Sequence, residues 1–138
     1  MSWDQYITSL MAATDGVSHV SGAAICGQDG SPWAASDNMK CITPEEVKKL
    51  IGDTSTFHQS GPVVAGMKCM MIRDQYDDPS SYCLQLKSRK DADGNTFNIC
   101  VGKTTTAVVI AKGTKEANGG QVTAKVYTIV SYLRGAGY

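Results

Sequence analysis

The chain has 138 residues, 42% of them apolar, with 13 basic and 13 acidic side chains and a formal net charge of zero. That length suits a single domain over residues 1–138 with one core, and the apolar content is enough to fold without disulfide or metal staples. Zero net charge excludes a global field that would draw the protein onto nucleic acid or a membrane, and leaves a local basic face as the route to either. Five cysteines (Cys26, Cys41, Cys69, Cys83, Cys100) are odd in number, widely spaced and without a C-x-x-C pair, which argues against a disulfide framework or a zinc site. The start shows no basic segment followed by an apolar run, and no stretch approaches the ~20 apolar residues a bilayer requires. The expectation is a reduced, soluble, cytosolic domain.

Ser2 is placed to cap a first helix, with Gln5 completing a capping box. Trp3, Tyr6, Ile7, Leu10 and Met11 then follow the spacing of one helical face, which the Asp15-Gly16 pair should end. Gly22–Gly27 and Trp33–Ala35 read as a strand pair around the turn Gln28-Asp29-Gly30-Ser31-Pro32. Small residues on the first strand suggest that helices pack closely over it. Thr43-Pro44-Glu45-Glu46 is the clearest helix start: Thr43 caps, Pro44 sits at N1 and Glu46 closes the box, with Gly52 as the stop.

Beyond Gly61 the period becomes that of strands. Val63–Ala65, Met67–Arg73, Tyr82–Lys87, Phe97–Val101 and Ala107–Ala111 are separated by turn-forming stretches, which implies an antiparallel meander. After Gly119-Gly120, residues Val122, Val126, Ile129, Val130 and Leu133 mark a last amphipathic helix, with Gly135 as its cap. The fold class is therefore α+β: a central antiparallel sheet, the terminal helices on one face, and the short helix with strands on the other.

Both ends of the chain carry aromatic residues, Trp3 and Tyr6 at one and Tyr132 and Tyr138 at the other. Ends fray unless something packs on them, so the two ends are expected to meet in one aromatic surface. Spacing alone favours core packing for Trp3 and Tyr6. Tyr138, lying past two glycines, is the hardest of them to place in a core.

These pieces, in this order, resemble the profilins over the whole chain. The carriers are Ser2-Trp3-Asp4-Gln5-Tyr6, Ala23-Ala24-Ile25 with Trp33-Ala34-Ala35, and Ile42-Thr43-Pro44-Glu45-Glu46. They continue through Gly66-Met67-Lys68-Cys69, Ile72-Arg73-Asp74, Thr96-Phe97-Asn98, Gly119-Gly120, Tyr132-Leu133 and Gly137-Tyr138, and the Lys68-Cys69 and Ile72-Arg73-Asp74 pieces are animal-like. The resemblance implies the profilin fold and a monomeric, cytoplasmic, cytoskeletal protein that binds actin monomers. It implies regulation of actin polymerisation and nucleotide exchange, and binding of poly-L-proline segments in formin-like and related elongation factors.

Carried over position by position, the resemblance implies proline binding at Trp3, Tyr6, Trp33, Tyr132 and Tyr138. A polyproline II helix offers flat apolar rings and free carbonyls, so a reader should supply aromatic faces with N–H or O–H donors at their edges. Tyr132 stands where some animal profilins carry His, which removes titration near neutral pH. Actin contacts are implied for Lys68, Ile72, Arg73, Lys87, Arg89, Thr96, Asn98, Gly120 and Tyr127. Gln59, Met70, Met71, Asn118, Thr123 and Thr128 occupy further contact positions with side chains that differ from some relatives. Lys68 and Arg73 are five apart, so a regular strand would aim them at opposite faces; a bulge, twist or strand end must intervene. Phosphoinositide headgroups are implied as a further ligand, with Lys87, Arg89, Lys90, Lys125 and Arg134 as the cations.

An enzyme is the first rival reading. His19 and His58 are the only histidines, and the chain has no G-x-S-x-G, H-E-x-x-H or P-loop motif, so no catalytic residue, cofactor or metal is expected. The second rival is a proline-ligand adaptor with weak or lost actin binding, suggested by the altered contact positions.

Overall fold

The computed structural model describes residues 3–13, 16–52, 57, 61–76, 78 and 82–138. The expected Ser2 cap, the Asp15 stop, His58 and Gln59 lie outside the described residues. Element order is α1 (Trp3–Met11), β1 (Val20–Gly27), β2 (Pro32–Ala35), a 3-10 turn (Asp37–Met39), α2 (Pro44–Ile51) and β3 (Val63–Val64). It continues with β4 (Met67–Gln75), β5 (Cys83–Ser88), β6 (Asn98–Lys103), β7 (Ala107–Gly113) and α3 (Gly119–Gly135). The strands form one sheet in the order β2-β1-β7-β6-β5-β4-β3, and every pairing is antiparallel. The expected meander is β4 to β7, with the β1–β2 hairpin laid against β7.

Both faces of the central strands are covered, which is why they read as apolar runs rather than alternating ones. In β7, Val109 and Ala111 join the core beneath α1 and α3, whereas Val108 and Ile110 join the one beneath α2. α1 buries Tyr6, Ile7 and Leu10, and α3 buries Val122, Val126, Ile129, Val130 and Leu133. Thr43 caps α2 as expected: its hydroxyl accepts the Glu46 N–H and the Glu46 carboxylate accepts the Thr43 N–H. The second Glu46 oxygen accepts the Gly66 N–H at 3.0 Å, tying α2 to the β3–β4 turn.

Several boundaries differ from the sequence reading by a few residues, two of them at helix C-termini. α1 ends at Met11, before the Asp15-Gly16 signal. α3 runs through Gly135, which lies inside the helix and is not its cap; the left-handed residue that ends the helix is Gly137, at φ +91°. α3 also carries a capping box that the sequence reading missed, with Asn118 and Gln121 exchanging side chain–backbone bonds at 2.8 and 2.9 Å. Its signal, N-x-x-Q, was present in the chain.

The small residues that let a helix approach the sheet lie beneath α3 as well as on β1. A Cβ on Gly102 would collide with Val130 and stand 2.6 Å from Val126, and one on Gly113 would stand 2.6 Å from Val122. Gly102→Ala is therefore expected to destabilise the protein by about 1–3 kcal/mol, the usual range for overpacking, read as a lowered urea midpoint.

None of the five cysteines is in a disulfide, and Cys26, Cys69, Cys83 and Cys100 are buried. Burial pushes Cys26 and Cys69 up to about 11 and Cys100 well above the ordinary thiol range. Above about pH 8.5 unfolded thiols lose protons that the folded ones retain, so the unfolded state binds fewer protons. Stability should hold through neutral pH and fall as pH rises from about 9 to 11, measured as the free energy of urea unfolding across that range.

Candidate functional site: an aromatic cluster and a basic sheet face

Three elements and the tail converge at one end of the α1–α3 pair. Trp3 and Tyr6 stand one turn apart on α1, Trp33 comes from β2, Tyr132 from α3, and Tyr138 from the residues after it. Trp3 is the hub: its ring centroid lies 4.7 Å from Trp33, 5.3 Å from Tyr6 and 5.4 Å from Tyr138, the last edge-on at 82°. Tyr132 joins through Tyr6 at 6.0 Å. Gly27 makes room for this arrangement, because a Cβ there would stand 3.2 Å from the Trp33 indole.

The five rings are not equally presented. Tyr132 and Tyr138 are 54% and 45% exposed, Trp3 and Trp33 are half-buried, and Tyr6 is only 8% exposed. Tyr6 thus belongs to the core as well as the cluster, joining the two readings that spacing left in competition. Its phenol is held above the ordinary tyrosine value, first by burial and then by the neighbouring Tyr132 and Tyr138 hydroxyls. It keeps its proton, and so its donor, through the neutral range.

Tyr138 is placed by backbone chemistry. The Tyr138 N–H donates to the Leu133 carbonyl at 2.8 Å and the Gly137 N–H to that of Arg134 at 3.3 Å, the paired bonds of a Schellman motif with glycine in the left-handed position. The Tyr138 main-chain oxygen then accepts three bonds from the β6–β7 turn. They come from the Thr106 N–H at 2.6 Å, the Thr106 hydroxyl at 2.9 Å and the Thr104 hydroxyl at 2.7 Å. No local pattern in the chain announces this latch, because its two halves lie about thirty residues apart in sequence.

The second surface lies on the β4–β6 part of the sheet. Cross-strand partners project to the same face, so the pairs Met70↔Lys87 and Lys87↔Asn98 align three side chains. The register then shifts between Met71 and Arg73, which pair with Leu86 and Gln85. That bulge at Ile72 returns Arg73 to the face that carries Lys68, Met70, Gln85 and Lys87. Ile72 itself is 54% exposed and borders a shallow hollow of about 230 Å3 with Gln85, Asn98, Gly119 and Thr123. Arg89 follows β5, its N–H bonded to the Lys68 carbonyl at 2.9 Å, and Lys90 is exposed beside it. Thr96 is half-buried just ahead of β6, Gly120 is exposed at the start of α3, and Tyr127 lies half-buried further along that helix.

Other positions are placed elsewhere. Met71 packs against the opposite core, beneath α2. Asn118 is the helix cap described above. Thr128 donates its hydroxyl to the Ala124 carbonyl at 2.9 Å, within α3. Arg134 has its guanidinium 3.6 Å from the Tyr82 ring and donates twice to the Lys103 carbonyl, at 3.1 and 2.6 Å. Lys125 borders a separate groove between α1 and α3.

The molecule is a small α+β domain whose sheet carries an aromatic cluster at one end of its helix pair and a cationic face on its far strands. The Profilin family model matches residues 1–138. The chain is 36% identical to human Profilin-1 over 141 aligned positions, covering 99% of this chain and 98% of that one. It is 30% identical to rat Profilin-2 over 99% and 98% of the two chains. Among solved structures, mouse Profilin IIa in complex with a double repeat from the FH1 domain of mDia1 matches with a TM-score of 0.89 at 28% identity, covering 100% of both chains. Human Profilin II matches with a TM-score of 0.85 at 29% identity, covering 96% of this chain and 98% of that one. The chain belongs to the profilin family.

Replacing Gly137 by alanine should strain a left-handed turn and loosen Tyr138. We expect a cost of about 1 kcal/mol in thermal or urea unfolding, together with a changed near-UV circular dichroism from the Trp3 environment.

Proposed function

We propose that this protein is a cytoplasmic actin-monomer-binding regulator of actin polymerisation that also reads poly-L-proline segments through its aromatic cluster. The observation that carries the proline reading is the convergence of Trp3, Tyr6, Trp33, Tyr132 and Tyr138 into one chain of ring contacts with two tyrosines open to solvent. Such a surface offers flat apolar faces for proline rings and indole and phenol donors for their free carbonyls. The ligand's preformed conformation lowers the ordering cost of binding. The mouse Profilin IIa structure, solved with a double FH1-domain repeat, supports the same reading by likeness.

Actin is assigned to the sheet face that carries Lys68, Ile72, Arg73, Lys87, Arg89 and Asn98, with Thr96, Gly120 and Tyr127 around it. Family membership supports the partner, and the Ile72 bulge supports the surface by gathering both cations on one side. Occupying a monomer there while a proline-rich factor holds the aromatic end would deliver actin to growing filaments, with faster nucleotide exchange on the bound monomer. Lys87, Arg89, Lys90, Lys125 and Arg134 form the phosphoinositide candidate. Arg134, committed to Tyr82 and the Lys103 carbonyl, contributes least to it.

Retention on a polyproline column combined with co-elution with monomeric actin in gel filtration tests the whole reading. Retention without actin binding would select a proline-ligand adaptor instead. Trp3→Ala should lose polyproline binding by more than tenfold and leave actin binding intact, with Trp33 fluorescence as the reporter. With tyrosine at 132, wild-type affinity for the peptide should stay flat between pH 6 and 8. Lys87→Glu should weaken the effect on pyrene-actin assembly, most at low salt; unchanged kinetics would make the patch bystander charge.

A further inference from the structure

The aromatic cluster lies at one end of the α1–α3 pair, and a separate hollow lies further along the same pair. On α3, Gln121, Lys125, Thr128 and Tyr132 recur at intervals of three or four and form one row along the helix. On α1, Tyr6 and Ser9 are one turn apart. The Tyr6–Tyr132 contact at 6.0 Å marks where the two rows face each other. The hollow has a volume of about 380 Å3 and is lined by Ser9, His19, Ala124, Lys125, Thr128 and Ile129. That volume is at the low end of ligand pockets, which run ~300–1,000 Å3, and suits one or two side chains better than a cofactor.

The chemistry of the lining narrows the occupant. Ile129 supplies an apolar floor, and the Thr128 hydroxyl is satisfied by the Ala124 carbonyl. Lys125 is half-buried at the rim and has no ion pair among the described residues. An aliphatic stem against an apolar groove with an unpaired ammonium suits a ligand carboxylate.

We infer that this hollow is a second subsite for proline-rich ligands, one that takes an acidic residue flanking the proline run and pairs it with Lys125. The inference rests on the proline reading of the aromatic cluster. The spacing is compatible: seven residues separate Lys125 from Tyr132, about 10 Å at ~1.5 Å per helical residue. A polyproline II helix covers that in three or four residues at ~3.1 Å each. The ligand class is therefore a proline segment with Asp or Glu three or four positions beyond the residue stacked at Tyr132. Such a pair at the solvent rim contributes selectivity among proline-rich partners rather than the bulk of affinity.

The test is fluorescence titration of wild type and Lys125→Ala with a polyproline peptide and with the same peptide flanked by glutamates. Wild type should bind the acidic peptide about two- to fivefold more tightly at low salt, with the gain lost at high salt. Lys125→Ala should bind the plain peptide as wild type does and show no gain. Equal affinity of wild type for both peptides, or a gain that survives in Lys125→Ala, overturns the subsite while leaving the aromatic site standing. Failure of the plain peptide to bind wild type overturns the aromatic reading and the subsite with it. Phosphoinositide vesicles provide the last arm: if Lys125→Ala weakens vesicle binding but keeps the acidic-peptide gain, Lys125 belongs to a lipid headgroup and the subsite is overturned.

Discussion

The close seating of α3 on the sheet is the contact on which the rest of the molecule depends. Gly102 and Gly113 leave no side chain between strand and helix, so Val122, Val126 and Val130 drop directly onto the backbone. That seating fixes the rotation of α3 and thereby the direction of everything it carries. Leu133 points inward, Tyr132 stands beside Tyr6, and Lys125 borders the groove with α1. The same helix begins over β6, where the Asn98 side chain bonds the Ala117 carbonyl at 3.0 Å and joins helix entry to the cationic face. One packed interface thus sets both surfaces.

The two surfaces are built on different physical principles. The aromatic end is held by side-chain packing around Trp3 and by backbone bonds that clamp the residues after α3, so its rings are positioned before any ligand arrives. The sheet face instead draws its geometry from strand register. Its cations stand on paired strands whose spacing is set by main-chain hydrogen bonding, and the Ile72 bulge is the single irregularity that brings Arg73 into line.

Much of the fold was legible in local pattern. The Thr43–Glu46 box, the apolar stripes of α1 and α3 and the succession of strands are short-range signals, and each forms where its period places it. The end of α3 was misread at Gly135 because two glycines lay within reach, and only a left-handed turn at Gly137 closes the bond from Tyr138 back to Leu133. Arg134 shows the limit of reading charge. As a surface cation it suits a phosphate, yet the fold lays it over Tyr82 and against a main-chain carbonyl.

The sequence by itself determined the class of fold, because periodicity and caps are properties of neighbours along the chain; the family and the set of five aromatic residues came through the resemblance that its motifs carry. It also required an irregularity between Lys68 and Arg73 if both were to meet one partner, since alternation along a strand is strict. Where that irregularity falls, how deeply Tyr6 is buried, and that Thr104 and Thr106 hold Tyr138 were decided by tertiary structure alone. Each of these depends on contacts between segments far apart in the chain, and no local pattern encodes the distance between them.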